Sequence, residues 1–291
     1  KNNMLKETFR NSGLFGKLLQ LFFISFFFGI AGIGLVSVIF GATTNIYDQK
    51  IMQLILTLFT FLLAPIAVGY IWYEKPSDAY SLNRKPPVKM IFLVILLMFA
   101  ITPLINLLSY VNEQMVLPGF MKNIEVYFKE MEDAAAQLTE KMLVMNTTSD
   151  LIVNLIVMAV APALCEELYF RGTLLNIFSE GRNRHAAIWI VAIIFSLIHF
   201  QMYGFIPRMI LGALLGYLMM WSGSIWVPVI AHFTNNAMAV ITSGFGQTNE
   251  QLKKLEDIGK AETFWYGIVS LLITILIIRE IYKIRNKETA G

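Results

Sequence analysis

Leu151-Ile152-Val153-Asn154-Leu155-Ile156-Val157-Met158-Ala159-Val160-Ala161-Pro162-Ala163-Leu164 is an apolar run that ends in Cys165-Glu166-Glu167-Leu168-Tyr169-Phe170-Arg171. Two adjacent carboxylates and an arginine therefore sit in a segment of the length that crosses a bilayer, about 20 residues. Ionisable groups so placed are costly, face the bundle interior or a wet cavity, and mark function by default. Three other strongly polar positions lie comparably deep in apolar sequence: His199, His232 and the Asn235/Asn236 pair. The expectation is that these groups meet.

Outward from that stretch, the 291 residues are 56% hydrophobic and only 15% charged, whereas soluble domains carry roughly 25% charge. Apolar runs at 18–41, 51–73, 90–111, 151–172, 186–203, 205–222, 225–242 and 263–282 predict an all-α, polytopic membrane protein of about eight spans. Leu18 to Phe40 exceeds the roughly 7–15 residues of a signal peptide's apolar region, so it reads as a first span. The net charge of +3 is small and the basic residues lie beside apolar runs, which makes them topology determinants and excludes nucleic acid as a partner. Cys165 is the single cysteine, so there is no intramolecular disulfide framework and no Cys-based zinc cluster.

With eight spans, the side shared by both termini holds 15 of the 23 Lys and Arg, including Lys1, Lys6, Lys17, Arg84, Arg182 and Lys287. The opposite side holds 8, Arg208 among them. The positive-inside rule then predicts a multi-pass protein of the cytoplasmic membrane with both termini cytoplasmic. Between the third and fourth spans, Phe120, Ile124, Tyr127, Met131, Ala134, Leu138, Met142 and Met145 recur at steps of three and four. This is an amphipathic helix, lying on the membrane surface or the bundle, or serving as a lid. Gly212 and Gly216 form a small-xxx-small pair for close helix packing.

Glu167 and Arg171 are four apart with the acid on the amino-terminal side, the favourable order for an ion pair on one helix face. Glu166 is rotated about 100° from Glu167, which leaves it free to work. If the helix turns at Gly181-Arg182-Asn183, Glu166 and His199 reach nearly the same height on adjacent helices, roughly 24–26 Å from the turn at 1.5 Å per residue, and can share a water. His232 and Asn236 also lie four apart, with Asn235 as the rival partner, and can donate to an oxygen that becomes anionic. These parts suit attack of a water, activated by a glutamate as general base, on a carbonyl. Cys165 reads as an inert buried hydrophobe rather than a nucleophile.

Glu166-Glu167-x-x-x-Arg171, Phe195-x-x-x-His199 and His232-x-x-x-Asn236 together resemble the three motifs of the CPBP intramembrane endopeptidases, the family of type II CAAX prenyl endopeptidases and Abi proteins. The resemblance implies a CAAX-protease-like helical core with Glu166 as general base, His199 assisting the water, and His232 and Asn236 as the oxyanion hole. Glu167 and Arg171 are then the supporting pair. It also implies proteolysis without a metal or other cofactor, on a peptide or protein substrate, membrane-bound or lipidated ones included, that the motifs do not fix. On this reading 1–120 carries the first three helices, 121–149 the amphipathic loop helix, 150–245 the catalytic core and 246–291 the last helix and a cytoplasmic tail. Three rivals stay open: a zinc protease using His199, His232 and one glutamate, a membrane scaffold or immunity-type protein, and a transporter with the cluster as its ion site.

Overall fold

The computed structural model describes residues 7–246 and 249–289. Lys1 and Lys6 of the orientation count lie outside them, as does the side chain of Lys287. The described residues form helices and no strand. In chain order we label α1 (Leu14–Phe40), α2 (Ile46–Trp72), α3 (Val88–Glu113), α4 (Lys122–Leu143), α5 (Thr148–Ser179), α6 (Arg184–Leu197), α7 (Phe205–Ser222), α8 (Trp226–Gly246) and α9 (Phe264–Thr289).

Among the described residues six helices are long and apolar enough to cross a membrane: α1, α2, α3, α5, the Met202–Ser222 segment that contains α7, and the Ala261–Arg285 segment that contains most of α9. This is a multi-pass membrane protein. Two of the eight expected spans fall short of that standard for different reasons. α6 has only 14 residues, about 21 Å of helix at 1.5 Å per residue. α8 has 21 residues, but His232, Thr234, Asn235 and Asn236 dilute its hydropathy. Apolar side chains stud the outer surface: Phe22, Phe23, Phe26 and Phe27 of α1 are all exposed, which in water would be an aggregation hazard and in lipid is the expected solvation.

Hydrogen bonds between loops show how the helices alternate. At one end Lys17 reaches Glu180 at 2.5 Å, Ser224 donates to the carbonyl of Arg84, and Trp226 donates to that of Leu82. At the other end Tyr47 donates to Asp150, and Asn112 joins the Met202 carbonyl and the Ile206 N–H. Helices α1–α3 and α5–α8 thus run alternately between two ends, and α9 packs on α3.

α5 organises the bundle. It starts at a capping box in which Thr147 and Asp150 exchange side-chain and backbone hydrogen bonds. It is then widened twice by π-helical turns, at Ile156–Val160 and Leu168–Leu174, on either side of Pro162. The wider turns accommodate the missing N–H of proline and rotate the downstream face. Phe170, Ile177, Ala192, Phe195 and Ala213 close the core between α5, α6 and α7. Gly212 and Gly216 are where α7 touches α6. A Cβ on Gly216 would lie 2.8 Å from the Ile188 side chain, and one on Gly212 3.3 Å from the Ala192 Cα.

Candidate active site

The site begins with a buried ion pair. Glu167 and Arg171 are both fully buried, and Arg171 Nη1 donates to Glu167 Oε1 at 2.7 Å. The second fork of the guanidinium donates to the Gly212 carbonyl at 2.8 Å, and its plane lies over the Phe195 ring at 4.9 Å. Charge burial of this kind is tolerable only with close partners, because isolated charges lose their hydration outright. Arg171 therefore ties α5 to α7 and to the ring of the Phe195-x-x-x-His199 segment.

Across the bundle, α8 supplies His232. Its Nδ1 donates to the same Glu167 Oε1 at 2.8 Å, since a carboxylate only accepts. Nε2 then points to Glu166, 3.9 Å from its Oε2. Glu166 makes no hydrogen bond to any described residue, and its side chain keeps 15% of its surface open. Rotation about the helix axis separates the two glutamates as their adjacency requires: Glu167 faces the core, and Glu166 faces a cavity of about 400 Å³.

His199, His232, Asn235, Asn236, Phe195 and Arg208 share that cavity with Glu166. His199 does not lie within a helix, as a span reaching 203 would have it. α6 stops at Leu197, and Phe200 takes a positive φ of 53°, turning the chain into the start of α7. The imidazole of His199 folds back and its Nδ1 donates to the Phe195 carbonyl at 2.7 Å, filling a place left open at a helix end. With Nδ1 so committed, the lone pair of neutral His199 is on Nε2. On α8, Asn236 donates to the Met158 carbonyl at 3.2 Å and accepts from Asn235 Nδ2 at 3.1 Å, so both asparagines reach the wall.

Arg208 is a charged wall residue outside the expected set, and Asn235, the rival partner of His232, lies on the wall beside Asn236. Arg208 lies three residues inside the apolar 205–222 run, and the depth argument that singled out Glu166 applies to it as well. No group of three or more His, Cys, Asp or Glu among the described residues is arranged to hold a metal ion. Cys165 is buried and is not among the residues that line the cavity.

Residues 148–238, which contain all of Glu166, Glu167, Arg171, His199, His232 and Asn236, match the model of the family described as Type II CAAX prenyl endopeptidase Rce1-like. A curated relative, "Uncharacterized protein YpbD" of Bacillus subtilis (strain 168), is 31% identical over 91 residues, covering 30% of this chain and 44% of that protein. The chain thus matches less than half the length of that relative. No solved structure matches the chain.

Proposed function

We propose that this protein is an intramembrane endopeptidase that hydrolyses a peptide bond with a water held between Glu166 and His199. The observation that carries the reading is the unequal treatment of two adjacent carboxylates. Glu167 is spent on Arg171 and His232, whereas Glu166 has no hydrogen-bond partner and faces the cavity. A partly desolvated carboxylate with no hydrogen-bond donor is equipped to take a proton from water, a step that contributes about 10²–10⁴-fold. The Nε2 lone pair of His199 accepts the water's second hydrogen and orients its oxygen.

As the water adds to the carbonyl, negative charge develops on the substrate oxygen. Asn236 and its neighbour Asn235 offer amide N–H groups from one wall. His232 offers Nε2–H from the other when it is the imidazolium, because Nδ1–H is already given to Glu167. Glu167 plays the orienting part, holding one imidazole nitrogen so that the other faces the reaction. The protonated Glu166 then returns its proton to the leaving amine. Residues 150–245 form the catalytic unit on this reading, embedded in the cytoplasmic membrane with both termini on the cytoplasmic side. The substrate is a peptide or protein presented at or in the membrane, lipidated ones included.

The test is to incubate the purified chain in lipid nanodiscs with a peptide library in ¹⁸O-labelled water, with and without a lipidated cysteine in the peptides. The reading expects cleaved products whose new carboxyl group carries one ¹⁸O. Failure of the protein to cleave any peptide would refute it.

A further inference from the structure

We infer that Arg208 is a specificity residue: it holds a carboxylate of the substrate beside the scissile bond, so the cavity selects peptides that present an anion there. The inference builds on the proposed peptide hydrolysis. Arg208 is a half-buried guanidinium on the cavity wall and the single Lys or Arg among the residues that line it. No carboxylate of the described residues comes within 4.0 Å of it. The two that act on it electrostatically, Glu132 of α4 and Glu166, both stop short of an ion pair. A partly desolvated cation with no counter-charge in direct contact is incompletely compensated, and a bound anion supplies that contact.

The guanidinium is also held in place. Nη2 donates to Gln201 Oε1 at 2.6 Å and Nη1 to the Gln201 carbonyl at 3.4 Å. Gly204 leaves room for it, since a Cβ there would stand 2.8 Å from Nη2. The remaining N–H groups of the planar fork are unspent and suit the two oxygens of a carboxylate. Arg208 also lies in the first turn of the 18-residue α7, whose N-terminal dipole adds positive potential to the same place. Gly212, whose carbonyl receives Arg171, is one turn deeper on α7. The anion subsite therefore lies nearer the N-terminal end of α7 than the Arg171 contact does. Two carboxylates of a peptide qualify, the chain terminus and an acidic side chain, and the chemistry of recognition is common to both.

The test measures binding, so it does not depend on turnover. Glu166→Gln protein in nanodiscs is titrated with peptides of one sequence that end in a carboxylate or a carboxamide, each with an acidic or a neutral side chain. The expected result is binding of a charged peptide tighter than its neutral counterpart by about tenfold or more, the usual effect of a hydrogen bond to a charged group. That preference should vanish in the Glu166→Gln/Arg208→Gln double variant and survive in part with Arg208→Lys. Whether the preference follows the terminus or the side chain identifies the source of the carboxylate. Equal binding of charged and neutral peptides, no binding of any peptide, or a uniform loss of affinity with Arg208→Gln would overturn the inference. If the preference holds but wild-type protein cleaves nothing, hydrolysis fails and the anion subsite stands.

Discussion

His232 Nδ1 lies 2.8 Å from Glu167 Oε1, and its Nε2 lies 3.9 Å from Glu166 Oε2. One imidazole thus bridges two neighbouring carboxylates that serve different ends, one structural and one open to the cavity. Glu167→Gln tests that bridge. The amide can retain one contact but cannot accept from both Arg171 and His232 as a charge. We expect turnover to fall about 10²-fold or more, as when an orienting or oxyanion-stabilising group is lost. The fold should lose several kcal/mol, in the range of about 3–5 for a broken buried pair. Thermal unfolding in detergent alongside kcat reads both.

Arg171→Lys separates charge from geometry. The lysine restores a cation but cannot donate at once to Glu167 and to the Gly212 carbonyl while stacking on Phe195. A melting temperature well below wild type, with peptide binding retained, is the expected outcome. Wild-type stability would mean that charge alone suffices at this position.

Gly216→Val probes the close approach of α7 to α6. The new side chain meets Ile188, where even a Cβ would be at 2.8 Å, and overpacking typically costs about 1–3 kcal/mol. Because the α6–α7 contact also sets the position of Phe195 and His199, activity should drop together with stability. Gly34→Val, at a position with open space around its Cβ, is the matched control and should leave both unchanged.

α4 gives a pH dependence outside the membrane-spanning segments. Glu132 Oε2 accepts from the Tyr203 N–H at 3.0 Å, and Lys129 lies over the Tyr203 ring. Burial raises the Glu132 carboxyl above the ordinary glutamate value of 4.5, against the opposing pull of the Tyr203 N–H and Arg208 and with help from Glu113 and Asp133. A raised value means that docked α4 binds the proton more tightly than released α4. Docking is then strongest below the ordinary glutamate range and weakens as pH rises through the higher, docked value. Hydrogen exchange of 122–143, corrected for intrinsic rates, should show protection falling as pH rises from about 4 towards neutrality. Glu132→Gln should flatten that profile.

Two residues of the cavity wall lie towards the end of the bundle opposite the basic one. Arg208 and Ser109 lie towards the end where Asn112 meets Met202, while Lys17, Arg84 and Arg182 lie at the other. If the basic end is cytoplasmic, a cysteine placed at Ser109 will react with a membrane-impermeant maleimide added from outside and not from the cytoplasm. Labelling from the cytoplasmic side alone would invert the assigned orientation.

Much of this was legible in residue spacing, and the rest was not for identifiable reasons. The 3- and 4-residue periodicity of 120–145 gives an α-helix at Lys122–Leu143, and Phe205–Ser222 follows the apolar run residue for residue. Glu167 and Arg171 meet as i and i+4 even though the turn between them is π-widened. The bond from His232 to Glu167 crosses 65 residues, and no local spacing rule reaches that far. The early end of α6 escaped because Ile198 and Phe200 continue the apolar run on either side of His199, while the turn depends on a positive φ at Phe200. Arg208 reads as a loop charge when Lys and Arg are counted by side. Only the packing of α7 shows that it looks into the cavity.

Metal chemistry is tested by removal. Treating active protein with a zinc-specific chelator should leave the rate unchanged on the proposed mechanism. Inactivation that added zinc reverses would instead assign His199, His232 and a glutamate as ligands.

The most direct test of the central claim is the turnover of Glu166→Gln beside wild type on one cleaved peptide, with binding of that peptide measured for both. The account predicts a loss of about 10²–10⁴ in kcat with affinity retained, the usual contribution of a general base. Cleavage by Glu166→Gln at the wild-type rate would contradict it.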